Sequence, residues 1–203
     1  MDNRLVAWAR AVKSRKSAKP GLALPVLWLF TDAERLADPC AAAALLPKGL
    51  CGVVLRHDGR PAEERRALGR QLARICRERR LILAIAGDWR LAAALRAGLH
   101  LRGGRLGGPV PAGLARLTSS AHGRAELLRA ERAGVKLAFL SPAFATPSHQ
   151  GEAAMGAARW SRLAGSANDV AIGALGGING KSVRRLSRGA CHAAGAIAAL
   201  MPG

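Results

Sequence analysis

Thr146 and Ser148 lie two residues apart in Leu140–Gly151, LSPAFATPSHQG, where an apolar run ends in a small, hydroxyl-rich segment that also holds Ser141 and His149. Hydroxyls among prolines and glycines make a phosphate-sized pocket when a strand delivers them to one rim of an α/β barrel. Downstream, Gly176-Gly177-Ile178-Asn179 and Gly195-Ala196 supply glycines that let a backbone come close to an anion. A helix beginning at Gly195 would aim free N–H groups and a positive dipole at the same anion. Upstream, Arg56 ends an apolar run and reads as a cationic contact at a strand's carboxyl end.

Two histidines and one aspartate admit two roles each. His122 follows the hydroxyls of Ser119 and Ser120. It is either an acid/base that works near neutral pH or a helix-start residue bonded to its own loop. His149 is either a pH-dependent phosphate contact or an exposed loop residue, and His100, at a strand end, is read as structural. Asp88 is either a metal ligand or a helix cap. His57 and His192 are given no part.

The elements that must hold these residues follow a repeating order. Leu5, Trp8, Ala9 and Val12 share one face of a short N-terminal helix. Residues 1–20, with six Lys or Arg against the single Asp2, form a basic helix or arm ending at Lys19-Pro20-Gly21, and residues 21–203 form the main domain. The helix is expected to pack on that domain, the alternative being an arm for nucleic acid or a membrane surface. Pro25–Thr31 reads as a strand buried on both faces. After it come a helix near Pro39–Leu46, a strand at Gly52–Arg56, and a helix at Pro61–Arg80 with a buried stripe of Leu68, Leu72, Ile75 and Cys76 and solvated arginines opposite.

The pattern continues with strand Leu81–Ile85, helix Asp88–Ala97 and strand Leu99–Leu101. A Gly/Arg-rich loop at 102–109 follows, with little helix. The last units are strand Ala115–Ser119, helix His122–Gly134, strand Lys136–Leu140, helix Glu152–Leu163 and strand Val170–Ala174. Asn179 then caps helix Lys181–Arg188, and strand Ala190–Ala194 precedes a short terminal helix. Eight strand–helix units imply one compact (β/α)8 TIM barrel with a shortened helix after the fourth strand.

Composition narrows the classes of function. At 203 residues the chain suits one domain. The four cysteines form no CxxC pair or metal-ligand spacing and are expected to be reduced, and no segment approaches the length needed to span a bilayer. A cytoplasmic protein is expected. The net charge of +19 attracts phosphorylated metabolites and other polyanions. With aromatics at only 3% the stacking platforms of a single-strand binder are scarce, so nucleic acid is not favoured.

Several short motifs, taken in order, resemble the thiamine phosphate synthase family and its thiazole tautomerase-like relatives. They are Leu29-Phe30-Thr31-Asp32, Gly98-Leu99-His100-Leu101, Thr118-Ser119-Ser120-Ala121-His122, Leu140-Ser141-Pro142-Ala143-Phe144-Ala145-Thr146-Pro147-Ser148, Leu175-Gly176-Gly177-Ile178 and Ala194-Gly195-Ala196-Ile197. The resemblance spans Leu27 to Leu200. It implies an enzyme that joins a hydroxymethylpyrimidine pyrophosphate to a thiazole phosphate with Mg2+, releasing pyrophosphate. It also implies a thiazole-phosphate site at Thr146, Ser148, Gly177, Gly195 and Ala196, beside Gly176, with Ser120 retained in type.

The pyrophosphate and metal half departs from the pattern. A Gln-x-Arg-x-Lys motif is expected where the chain has Val54-Leu55-Arg56-His57-Asp58, and only the arginine matches. An Asn-Asp pair is expected at Ala86-Gly87 or Gly87-Asp88, so Asp88 is the one metal ligand implied, and His149 replaces a lysine. Three readings stand: a synthase, a tautomerase-like isomerase, or a barrel that binds a phosphorylated metabolite without turnover. The oligomeric state is not implied.

Overall fold

The computed structural model describes residues 1–15, 24–146 and 153–201. Eight parallel strands close into a barrel in the order of the sequence. They are β1 (Leu27–Phe30), β2 (Cys51–Leu55), β3 (Ile82–Ala86), β4 (Gly98–Arg102), β5 (Arg116–Ala121), β6 (Leu137–Leu140), β7 (Ala171–Ala174) and β8 (Ala193–Ala196). The helices are α1 (Asn3–Lys13), α2 (Pro39–Leu45), α3 (Ala62–Arg79), α4 (Trp89–Ala94), α5 (Arg124–Arg132) and α6 (Gly156–Gly165). The (β/α)8 expectation holds.

Side-chain alternation along the strands divides the core in two. Leu27 and Leu29 of β1 face the helices, while Trp28 and Phe30 face the barrel interior with Val54, Ala84, Ala86, Leu137 and Phe139. Inside, Phe139 meets Trp28 edge-on at 6.0 Å and Phe30 at 4.9 Å between ring centroids, and Phe30 meets His100 at 5.5 Å. Three strand glycines make room for these rings. A Cβ at Gly52 would lie 2.6 Å from Trp28, one at Gly173 2.8 Å from Phe139, and one at Gly195 2.6 Å from Phe30.

Three expected helices are reduced. No helix joins β4 to β5, because Gly103 and Gly104 lay the backbone against α5, where Arg129 Nε donates to the Gly103 carbonyl at 2.9 Å. The shortening expected after the fourth strand is therefore complete. The helix expected at Lys181–Arg188 contracts to a 3-10 turn at Val183–Arg185 and the terminal one to a 3-10 turn at Ala198–Leu200. Asn179 still caps, accepting from Lys181 N at 2.8 Å and Ser182 N at 3.0 Å.

The N-terminal helix compensates for that reduction. Leu5, Val6 and Ala9 of α1 are buried against the barrel. Asp2 caps α1 through Oδ1, accepts from Gly180 N at 2.7 Å through Oδ2, and donates its own N–H to Ala199 O at 2.8 Å. Lys13 at the other end reaches Gly49 O, just before β2. Helix α1 thus runs from the carboxyl end of the strands to their amino end, as a barrel's outer helices do. Burial raises the Asp2 carboxyl pKa, but the N–H groups of Gly180, Leu5 and Arg4 outweigh it and hold the group below its usual value. The helix break expected at Lys19-Pro20-Gly21 lies outside the described residues.

Among the described residues no helix is long and apolar enough to cross a membrane. All four cysteines are unpaired, and burial pushes the thiols of Cys51, Cys76 and Cys191 up to about 12, so they are not nucleophiles near neutral pH.

The ring-against-glycine packing has a direct test. Gly173→Ala is expected to destabilise the fold by about 1–3 kcal/mol through overpacking against Phe139, whereas Gly59→Ala, which meets nothing within 4 Å, changes stability by less than about 0.5 kcal/mol in urea unfolding.

Candidate functional site

Two adjoining cavities open at the carboxyl end of the strands, and Arg56 and Leu175 line both. The first, about 490 Å3, is bounded by Thr146, Gly176–Asn179 and Gly195–Ala199, with Arg35 and Asp2 at its edge. The second, about 480 Å3, is bounded by Arg102, Arg105, Ser120, His122, Glu126 and Asp58, with Phe30 and His100 beneath. Larger hollows occur elsewhere, of about 900 Å3 outside α3 and α4 and about 800 Å3 at the amino end of the strands. The first of these touches the segments after β2, β3 and β4 alone and the second lies at the opposite end, so neither gathers the ends of many strands as the two rim cavities do.

Backbone geometry builds the first cavity. The segments after β6 and β7 are joined by Ala143 N to Leu175 O at 2.8 Å and Phe144 N to Gly176 O at 3.1 Å, and Arg185 stacks on Phe144 at 5.1 Å. Gly176 and Gly177 have φ of +89° and +63°, and a Cβ on Gly177 would lie 2.5 Å from Ala145 O. Glycine is thus required twice, by conformation and by closeness. The N–H groups of Gly177, Ile178 and Ala198 have no acceptor among the described residues. Buried N–H groups are normally satisfied, and N–H groups that converge at such a rim suit an anion.

Gly195 corrects the expectation of a helix start. It lies inside β8, with Ala196 ending that strand, and its missing Cβ serves Phe30. Backbone dipoles at this rim come from the Ala198–Leu200 turn and the segment after β7, and not from a helix at Gly195. Thr146 lines the cavity, and Gly176, Gly177, Gly195 and Ala196 join it there. Ser148 and His149 fall outside the described residues.

Arg56 is held at the junction by three hydrogen bonds. Its Nε donates to Thr31 O at 2.8 Å, its Nη2 to Asp32 Oδ2 at 2.7 Å, and its backbone N–H to Thr31 Oγ1 at 3.1 Å. Thr31 Oγ1 also meets His57 Nδ1 at 2.9 Å. That hydroxyl accepts from the Arg56 N–H, and its own proton is available to Nδ1 of a neutral His57 ring, the direction being set by the His57 tautomer. Burial, then the nearby Arg60, lowers the His57 pKa and keeps the ring neutral. Burial also pulls the Arg56 guanidinium below its usual value, Asp32 and Asp58 oppose this, and the group stays charged. His57, read as having no part, is therefore a support for Arg56.

Ser120 and His122 line the second cavity. His122 does not begin the helix. It precedes the Gly123 cap of α5, and its N–H donates to Glu126 Oε2 at 2.8 Å. His100 lies beneath, its Nδ1 2.7 Å from Thr118 Oγ1, and burial, followed by Arg56 and Arg102, drives its pKa down to about 3. The structural reading of His100 fits that fully enclosed pair.

Arg65 is the residue the helical pattern misplaced. It is buried within α3, its side chain only 10% exposed, where solvated arginines were expected. Its guanidinium group donates to Arg56 O at 2.9 Å, to Ala86 O at 2.6 Å and to Asp88 Oδ2 at 3.3 Å, and pairs with Asp58 Oδ1 at 3.3 Å. One side chain thus ties the ends of β2 and β3 together. The signal was present: Arg65 precedes Gly69, Leu72 and Cys76 by four, seven and eleven residues, on the buried stripe.

The same network tests the implied Mg2+. Asp88 caps α4 through Oδ1, which accepts from Leu91 N at 2.9 Å, and its Oδ2 faces Arg65. Asp32 pairs with Arg56, and Asp58 pairs with both Arg65 and Arg102. Among the described residues no three His, Cys, Asp or Glu side chains converge. Mg2+ binds hard, accessible carboxylate oxygens in a near-octahedral shell. Carboxylates already bridged by guanidinium groups fit that demand poorly, and in this structure Asp88 caps α4 and faces Arg65.

The fold and site together define a single-chain (β/α)8 barrel whose open end pairs glycine-rich backbone with ordered arginines. The family model described as thiamine monophosphate synthase matches residues 27–200, and the chain belongs to that family. Among solved structures the chain is similar to a thiamine phosphate pyrophosphorylase from Pyrococcus furiosus, with a TM-score of 0.69 and 21% identity over 85% of each chain. It is also similar to one from Bacteroides thetaiotaomicron, with a TM-score of 0.59 and 17% identity over 87% of this chain and 84% of that one. No curated protein matches the sequence.

Two measurements check the electrostatics. Arg65→Met is expected to cost about 2 kcal/mol or more, since it removes the donors to the Arg56 and Ala86 carbonyls and one of the partners of Asp58 and of Asp88, while Arg66→Met on the exposed side of α3 costs less than about 0.5 kcal/mol. Below the usual histidine value of 6.5 the unfolded chain takes up a proton that buried His100 refuses. Stability is therefore full above that value and falls as pH drops from 6.5 toward about 3, by about 1.4 kcal/mol per pH unit from His100 alone. Urea midpoints near pH 7 and pH 5 should show this drop, and His100→Gln should shrink it, leaving the part due to His57.

Proposed function

We propose that the barrel binds a thiazole phosphate in the first cavity and joins it to a hydroxymethylpyrimidine pyrophosphate in the second, releasing pyrophosphate. One observation carries the reading: the N–H groups of Gly177, Ile178 and Ala198, which have no acceptor among the described residues, line one cavity with Thr146, and Arg56 connects that cavity to its neighbour. Family membership supports the same substrate class.

In this reading the phosphate is held by backbone N–H groups and the Thr146 hydroxyl, with Ser148 and His149 following in the same segment. Arg56 faces both ligands at the point where the bond to pyrophosphate breaks and the bond to the thiazole forms. Ser120 orients the pyrimidine side, and His122 holds or releases a proton there. The presence of His122 in the second cavity favours one further reading, a tautomerase-type isomerisation that needs a proton carrier and no pyrophosphate.

Calorimetry with each substrate and an assay for thiamine phosphate separate these readings. Thiazole phosphate is expected to bind, with affinity about tenfold weaker or more in Thr146→Val, and product formation is expected to fall about tenfold to a hundredfold in Arg56→Ala. Absence of thiazole phosphate binding overturns the proposal. Isomerisation of the thiazole without pyrophosphate release selects the tautomerase.

A further inference from the structure

The carboxylates Asp32, Asp58 and Asp88 at the rim are all bridged by Arg56, Arg65 and Arg102, and Arg105 stands outside these pairs in the same cavity. We propose that this cavity seats a diphosphate group without a divalent cation, on Arg102 and Arg105 together with Arg56. The choice of a diphosphate rests on the proposed function. The residues and the absence of a metal requirement rest on the ion-pair network.

Three features build the seat. Arg102, the last residue of β4, crosses the end of β3 beside Gly87 to reach Asp58. Gly87 has a φ of +70°, and a Cβ there would lie 3.7 Å from the Arg102 guanidinium, at ordinary contact distance. The chain then folds back through Arg105 N to Arg102 O at 3.0 Å, which brings a second guanidinium to the same wall. Arg65, beneath, occupies Asp58 and Asp88 with a permanent charge that cannot be titrated or chelated away. A diphosphate presents several oxygens to such a row, and planar guanidinium forks bind phosphoryl oxygens in pairs. Charge that Mg2+ would bring in with the ligand is already fixed in the wall.

The test is calorimetric titration of the full chain with inorganic pyrophosphate at high salt, which screens the diffuse surface charge, once with EDTA and once with Mg2+. The expected dissociation constants agree within about threefold in the two buffers. Arg105→Ala is expected to weaken binding about tenfold or more in EDTA. Arg102→Met is expected to do the same, and should its lost pairing with Asp58 prevent folding, Arg105→Ala carries the test alone. Binding seen only with Mg2+, or a folded Arg105→Ala that titrates like the parent, overturns the inference. A chain that binds pyrophosphate in EDTA through Arg105 yet binds no thiazole phosphate supports it while overturning the proposed function.

Discussion

The structure depends on matching three large rings to three absent side chains inside a narrow barrel. With three Phe, four Trp and no Tyr, the chain has few aromatic groups, and it places Trp28, Phe30 and Phe139 in the interior. Eight strands leave room for side chains only if neighbours are small. Gly52, Gly173 and Gly195 provide that room, and Ala84, Ala86, Ala171 and Ala193 fill the remainder. Because interiors are close-packed, the rings fix the strand register from inside, which in turn fixes where the strand ends stand.

That packing reaches the rim through Phe30 and His100. Their edge-on contact forms the floor of the second cavity, and the Arg56 guanidinium lies 6.0 Å above the Phe30 ring. A neutral His100 suits this place, since a charged ring would sit uncompensated beneath Arg56 and Arg102. Thr118 satisfies it instead. From this floor two kinds of binding surface diverge. Beyond β7 and β8 the surface is backbone, shaped by positive-φ glycines. Beyond β2, β3 and β4 it is side chain, shaped by arginines held on aspartates. Asp2 joins α1 to the backbone half, so the N-terminal helix is a wall of the site as well as of the barrel.

Much of the fold was legible in the sequence because period and punctuation are local. Apolar runs such as Leu27–Phe30 and Leu137–Leu140 fell where strands formed, and Thr146, Gly177 and Arg56 were located from segment ends alone. What failed to read was long-range. Gly195 looked like a helix start because its partner, the Phe30 ring, is 165 residues away in the chain. The helix expected at Lys181–Arg188 shrank because α1, from the opposite terminus, already covers that part of the barrel. Asp88 was ambiguous for the same reason, since only the structure brings Arg65 to it. His57 had no local pattern at all, for its bond to Thr31 spans 26 residues.

Net charge and local charge have separate consequences here. A chain of net charge +19 sets up a field that attracts any polyanion, and such a field gives rate and avidity with little geometry. At the rim, three of only thirteen acidic residues converge on the arginines. This looks wasteful if attraction were all that mattered, since each aspartate cancels a cation. It makes sense if orientation matters more. An unpaired arginine spreads over many rotamers, and ordering it on a ligand costs entropy at the moment of binding. Arg56, fixed by Thr31 and Asp32, and Arg102, fixed by Asp58, have already lost that freedom on folding. The aspartates therefore act on the anion indirectly, by converting diffuse positive charge into donors at set positions.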